Sequence, residues 1–159
     1  MSNIIVKDNL FNDQEKENIY SFCKNLSFKR LERDHKNLPH TGLTSEFDLN
    51  DPLVKLIIDK SNEPIINLQR AYINLFLKEE KPYFHIDNHE TGYKTLLYYV
   101  NTEPKNYDEL GETFFLVDNE VRGIQPVPGR IVIFDAEIWH RASSLRNYDR
   151  FTIALKWRI

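Results

Sequence analysis

The stretch Tyr83-Phe84-His85-Ile86-Asp87 sets an imidazole and a carboxylate two residues apart. In an extended strand, residues i and i+2 project from one face, so His85 and Asp87 point together. Side by side they offer two ligands to a borderline divalent metal. A third ligand must come from elsewhere, and His140 is the best-placed candidate. It lies at the end of the apolar strand 131–134 and its short extension Ile138-Trp139. Two histidines and one carboxylate on one side of a metal leave the remaining octahedral positions open, which suits non-haem Fe(II) and O2. Ten residues beyond His140 comes Arg150, at the start of the strand 150–157. Arg150 and Thr152 share a face there, while Phe151, Ile153, Leu155 and Trp157 occupy the other. A guanidinium and a hydroxyl on an otherwise apolar strand form a fork for a carboxylate. An inward-facing arginine also needs a counter-ion, and a bound dicarboxylate supplies one. Tyr99, on the strand after His85 and Asp87, can add a phenolic hydrogen bond. Gly111-Glu112-Thr113 places a flexible residue at the mouth of another strand.

Other residues compete for these roles or extend them. Of the five histidines, His89 is the rival ligand, because a continued strand would put it on the face of His85 and Asp87. Asn88, Glu90 and Gly92 signal a turn at that point, so His89 is expected in a substrate loop or in solvent. His35 and His40 fall in a polar early loop and are expected to be solvated. Tyr83 shares the face of His85 and belongs to the pocket or to the core. Tyr72 and Asn74 on the preceding strand face the same choice, with Asn74 expected in the pocket. Arg141 beside His140 is a candidate substrate contact, against the plain alternative of a surface arginine. Cys23 reads as a small buried hydrophobe.

These residues need a frame, and the hydrophobic pattern supplies it. Ile4-Ile5-Val6 is a short strand. Asn12 followed by Glu15 forms a capping box that opens a helix through about Leu26, with Ile19, Phe22, Cys23 and Leu26 as its apolar stripe. Residues 30–45 are polar and irregular and read mostly as loop. A second helix begins at Asn50 or Asp51 with Pro52 in its first turn, and is interrupted near Ser61 to Pro64. From Arg70 the period becomes alternating. Segments 71–79, 83–87, 94–101, 112–117, 120–125, 130–135 and 150–157 read as strands. Turn residues separate them, including Asp118-Asn119 as a tight hairpin. Short strands in that number predict a sandwich, jelly roll or barrel, braced from outside by two helices.

Composition narrows the class further. The chain has 159 residues, 41% hydrophobic and 28% charged, enough for one domain with a substantial core. The longest unbroken apolar run is 96–100, too short to span a bilayer. A net charge of −3 argues against a protein that lives on nucleic-acid phosphates. One cysteine cannot form an internal disulfide, which favours a reducing, cytoplasmic setting.

Taken in order, His85-Ile86-Asp87, Thr95-Leu96-Leu97-Tyr98-Tyr99-Val100-Asn101, Gly111-Glu112-Thr113-Phe114-Phe115, Pro128-Gly129-Arg130-Ile131-Val132-Ile133-Phe134, Trp139-His140 and Arg150-Phe151-Thr152-Ile153-Ala154-Leu155-Lys156-Trp157 form a recognisable set. On these motifs the chain resembles the Fe(II)- and 2-oxoglutarate-dependent dioxygenases, particularly their small prolyl-4-hydroxylase-like branch. The resemblance implies a mainly β protein with flanking α-helices and a double-stranded β-helix, or jelly-roll, core. It implies one domain over 1–159, with 1–69 as a helical support region and 70–159 as the core. His85, Asp87 and His140 would ligate iron. Arg150 would grip the distal carboxylate of the cosubstrate 2-oxoglutarate, with Tyr99 and Thr152 assisting. The implied reaction hydroxylates an unactivated C–H with release of succinate and CO2, on a prolyl or other protein residue. The alternatives are the same chemistry on a small metabolite, amino acid or nucleobase, or a non-catalytic, cupin-like jelly roll that binds metal or ligand. Arg150 discriminates, because a mere metal binder needs no dicarboxylate fork. Two departures stand out: Arg150 replaces the lysine of collagen-type prolyl hydroxylases, and Thr152 replaces the asparagine of the nucleic-acid demethylases. With so short a chain, substrate choice is expected to fall to the loops 33–48, 88–93 and 102–111, or to a partner chain.

Overall fold

The computed structural model describes residues 4–103 and 107–159, so the middle of the 102–111 loop lies outside the described residues. Its elements run β1 (Ile4–Lys7), α1 (Asp13–Lys24), β2 (Leu43–Glu46), α2 (Pro52–Ser61), β3 (Asn67–Phe76), β4 (Tyr93–Tyr99), a single 3₁₀ turn (Tyr107–Glu109), β5 (Thr113–Val117), β6 (Glu120–Ile124), β7 (Ile131–Asp135), β8 (His140–Ala142) and β9 (Arg150–Arg158). The strands form two antiparallel sheets. The larger has the order β1-β7-β4-β9-β3-β2 and the smaller β6-β5-β8.

Local chemistry accounts for most boundaries. In α1, Asn12 Oδ1 accepts from the Glu15 N–H at 2.8 Å and the Glu15 carboxylate accepts from the Asn12 N–H at 2.9 Å, closing the capping box. Helix α2 starts on Asp51, whose carboxylate accepts from the Leu53 N–H, and ends at Asn62 in the left-handed region. Asp118 and Asn119 both have positive φ, 53° and 64°, the demand of a two-residue hairpin turn whose twist matches its strands.

The large sheet is buried on both faces. Toward the helices it presents Ile73, Leu96, Tyr98, Ile131, Ile133, Ile153, Leu155 and Trp157, packed against Ile19, Cys23, Val54 and Ile57. Toward the small sheet it presents Tyr72, Leu97, Tyr99, Val132, Phe134 and Ala154, packed against Phe115, Val117 and Ile138. This double burial explains why β4 and β7 read as unbroken apolar runs rather than alternating ones. Each fully buried Ile or Leu contributes about 1.5–3 kcal/mol, so the helix layer is a principal source of stability for the sheet that carries the site. Phe22, expected on the apolar stripe of α1, is instead 46% exposed and stacks on Phe47.

Most of 30–45 is loop as expected, but Leu43–Glu46 pairs with β3 and extends the large sheet. Leu-Thr-Ser-Glu is too short and polar to announce a strand, and only its partner makes it one. Residues 83–87 are not a regular strand. They make a single bridge, His85 to His140, after which the Asp87 and Asn88 N–H groups both turn onto the Ala136 carbonyl. Finally, His140 does not extend the strand that precedes it. The Ile138 N–H closes a turn on the Asp135 carbonyl, and the chain crosses to the small sheet, where β8 pairs with β5.

Candidate metal centre and its cavity

That crossing and that single bridge bring His85, Asp87 and His140 together. One ligand atom from each lies within 4.8 Å of the others. The His85 and His140 Nε2 atoms each stand 3.7 Å from an Asp87 carboxylate oxygen, one on each oxygen. Asp87 and His140 are buried and His85 is half-buried.

The other edge of each ring is already committed. His140 Nδ1 lies 2.8 Å from the Ile138 carbonyl, and His85 Nδ1 lies 3.0 Å from Asp34 and 3.1 Å from the Tyr83 carbonyl. A carbonyl or carboxylate accepting from Nδ1–H fixes the tautomer and turns the Nε2 lone pair toward the centre. Burial pushes the His140 pKa down to about 4 despite the nearby Asp87 charge, so this imidazole is neutral and ligand-ready at neutral pH. At His85 burial pulls the same way, but the hydrogen bond that its Nδ1–H donates to Asp34 and the charges of Asp87 and Asp34 outweigh it and raise the pKa. Burial would also raise the Asp87 pKa. The charge that His140 carries only at acid pH, the charges of Lys156 and His85 and the Thr95 hydrogen bond overcome it and hold the carboxyl ionised. Thr95 Oγ1 donates to one Asp87 oxygen at 2.6 Å and Lys156 Nζ to the other at 2.9 Å.

Asp34 comes from the early loop, which the sequence offered no reason to connect with the metal. Its second oxygen accepts from Thr41 Oγ1 and the Tyr83 N–H. Asp34→Asn is expected to weaken Mn(II) binding at pH 8 by about 10–100-fold, the usual effect of losing a ligand's orienting partner. The same change lowers the His85 pKa, so the pH at which binding is half-maximal shifts to the acid side. Calorimetric titration across pH 5.5–8.5 checks both; a variant with weaker binding and an unmoved pH profile would reduce Asp34 to a packing role.

Arg150 lines the same cavity, 2% exposed. Its Nε donates to the Gly111 carbonyl at 3.0 Å and one terminal nitrogen to Thr113 Oγ1 at 2.9 Å. Among the described residues no carboxylate forms an ion pair with it, and the buried Thr152 Oγ1 has no hydrogen-bond partner. Tyr99 donates its hydroxyl to Thr113 at 2.7 Å, behind the cavity wall rather than on it. Thr113 therefore accepts twice, which leaves its own O–H to be donated into the cavity. Gly111 holds its carbonyl in place with φ +86°, and a Cβ there would sit 2.5 Å from Leu145 Cδ2. Gly111→Ala is expected to cost about 1–3 kcal/mol of stability, read as a lowered Tm, because both the backbone and the neighbour must shift.

Of the remaining sequence candidates, Tyr72 and Asn74 line this cavity. Tyr83 does not: its side chain is 42% exposed, and its backbone serves Asp34 and His85. Arg141 lies over the rings of Phe84 and Phe114 outside the cavity wall. His89 is exposed and apart from the three ligand candidates. His35 packs near Trp139, and His40 accepts from Arg33. Sequence reasoning missed Asp34, Thr95 and Lys156. Lys156 was recoverable, since it shares the parity of Arg150 and Thr152 on β9.

Comparison with solved structures agrees with this architecture. The chain superposes on a Pseudomonas putida prolyl-4-hydroxylase with a TM-score of 0.79 at 10% identity, covering 99% of this chain and 94% of that one. It superposes on a Trichoplax adhaerens prolyl hydroxylase, solved with a hypoxia inducible factor peptide fragment, with a TM-score of 0.76 at 15% identity, covering 98% and 83%. HygX from Streptomyces hygroscopicus, solved with nickel, 2-oxoglutarate and hygromycin B, gives 0.74 at 15% identity, covering 99% and 83%. No family sequence model and no curated protein sequence matches the chain. The fold is thus the double-stranded β-helix of the 2-oxoglutarate–Fe(II) oxygenases, closely akin to their prolyl-4-hydroxylase structures. Among the described residues no helix is long and apolar enough to cross a membrane.

Proposed function

We propose that this chain is an Fe(II)- and 2-oxoglutarate-dependent oxygenase that hydroxylates an unactivated C–H bond with release of succinate and CO2. One observation carries the reading. A two-histidine, one-carboxylate set and a buried guanidinium that forms no ion pair among the described residues face the same cavity. The donor set fits a first-row divalent metal, and the orphan Thr152 hydroxyl beside Arg150 fits a carboxylate. A metal-binding jelly roll without turnover has no use for that guanidinium.

His85, Asp87 and His140 would hold the iron, and Arg150, Thr152 and Thr113 the distal carboxylate of 2-oxoglutarate. When bound, iron and cosubstrate supply the oxidising chemistry with O2. The protein's share is geometry and dryness. Asp34 and the Ile138 carbonyl aim the imidazoles. Thr95 and Lys156 keep Asp87 ionised and oriented. Tyr99 backs Thr113, which with the Gly111 carbonyl fixes the plane of the guanidinium. Tyr72, Leu97 and Phe76 wall the cavity against bulk water, which strengthens every polar contact inside it. The chain would act as one domain over 1–159, and the buried lone Cys23 suits a cytoplasmic, reducing setting.

The test is anaerobic addition of Fe(II) and 2-oxoglutarate, watched for the weak visible charge-transfer band of the chelate. The expected result is a band that needs both components. No band, and no succinate over a broad substrate panel, would sink the reading.

A further inference from the structure

Beside the three ligand candidates lies a second chamber of about 260 Å³ that shares the walls Tyr72, Asn74, Phe76, His85 and Asp87 with the first cavity. Its volume falls below the roughly 300–1,000 Å³ of pockets for drug-sized ligands. Its far wall is the early loop, through Glu32, Arg33 and Asp34, and its floor includes Arg70 and Lys156. A wall so charged does not suit an aliphatic ring presented by a peptide.

The charges divide into committed and spare. Asp34 is used by His85, Thr41 and the Tyr83 N–H. Arg70 is shared by Glu46 and Glu32, its terminal nitrogen 2.5 Å from Glu32 Oε1. Arg33 donates Nε to His40 and one terminal nitrogen to the Lys36 carbonyl, and among the described residues pairs with no carboxylate. Its other terminal nitrogen remains to donate. Lys156 spends one N–H on Asp87 and a second on Tyr72, which leaves its third N–H for an anion. Glu32 keeps Oε2 for a donor. The spare groups are therefore two cations and one carboxylate oxygen around a small space next to the metal ligands.

Resting on the oxygenase reading above, we propose that this second chamber binds a small zwitterion of the free-amino-acid class, its carboxylate held by Arg33 and Lys156 and its ammonium by Glu32. Hydroxylation then converts one of its C–H bonds to C–OH. One oxygen atom of O2 enters that hydroxyl and the other enters the succinate formed as CO2 leaves 2-oxoglutarate. A peptidyl residue lacks both charges and forgoes the contacts to all three groups, so it gains less from this chamber than a free zwitterion does.

The experiment measures succinate formation by the Fe(II)-loaded protein with each of the common L-amino acids, and in parallel with their N-acetyl amides. At least one free amino acid is expected to raise succinate formation about tenfold over the substrate-free rate and to gain one oxygen by mass spectrometry, while its N-acetyl amide does neither. Arg33→Gln should raise KM for that amino acid by about 10–100-fold, with Arg33→Lys in between, since one charge-assisted contact is lost. Calorimetry with Ni(II) and 2-oxoglutarate separates the two levels of argument. A protein that binds both, yet is stimulated equally by the amides or by no free amino acid, overturns this substrate class and leaves the oxygenase reading intact. An unchanged KM in Arg33→Gln overturns it as well. A protein that binds no 2-oxoglutarate brings down the oxygenase reading and this inference together.

Discussion

Asp87→Ala will abolish metal binding and with it all 2-oxoglutarate turnover. The carboxylate is the one anionic donor among the three ligand candidates, and its two oxygens stand between the two histidine Nε2 atoms. Mn(II) affinity is expected to fall by at least about a hundredfold, or roughly 2.7 kcal/mol at 1.4 kcal/mol per decade. The same substitution strands the Lys156 ammonium, mostly buried and bonded to Asp87. Breaking a buried pair from one side typically costs about 3–5 kcal/mol, so the variant will also melt lower. The double variant Asp87→Ala with Lys156→Met separates the two losses. It should recover much of the Tm and none of the metal affinity. Calorimetric Mn(II) titration and thermal melts read both quantities, and retained metal binding in Asp87→Ala would remove the centre from this site.

Arg150→Ala carries the second large effect, in the same cavity. Each charge-assisted hydrogen bond is worth about 1.5–3 kcal/mol, so losing a forked contact to a carboxylate should raise the 2-oxoglutarate KM by about 100–1,000-fold. Mn(II) affinity should stay within about threefold, because Arg150 touches Gly111 and Thr113 and none of the ligand candidates. Arg150→Lys keeps the charge but loses the fork, and should fall between the two. Steady-state kinetics over a 2-oxoglutarate series, beside metal titration, gives the comparison. An unaltered KM would mean that the buried guanidinium serves the fold alone.

The two predictions rest on parts of the molecule that were unequally legible in the sequence. His85 with Asp87 and Arg150 with Thr152 were visible because each pair is local: residues two apart on extended chain share a face whatever lies around them. The same parity extends to Lys156, but its bond to Asp87 is evident only in the fold. The helices were equally plain, since the Asn12–Glu15 box and the Asp51-Pro52 start are satisfied within a few residues. Even where 83–87 failed to form a regular strand, one backbone bridge was enough to keep His85 and Asp87 on the same side.

Distance along the chain marks where that legibility stopped. Asp34 meets His85 across 51 residues and Thr113 meets Arg150 across 37, and neither carries a local signal. Strand β2 exists because β3 offers it an edge, and His140 meets His85 and Asp87 only because the turn at 135–138 moves it to the other sheet. Residue type and strand parity were sufficient to propose a chemistry, because ligand type and facing are local properties of the chain. Packing was needed to decide which rings are neutral, which carboxylate orients them and which charges stay free for a substrate, because burial and hydrogen-bond partners exist only once distant segments are brought together.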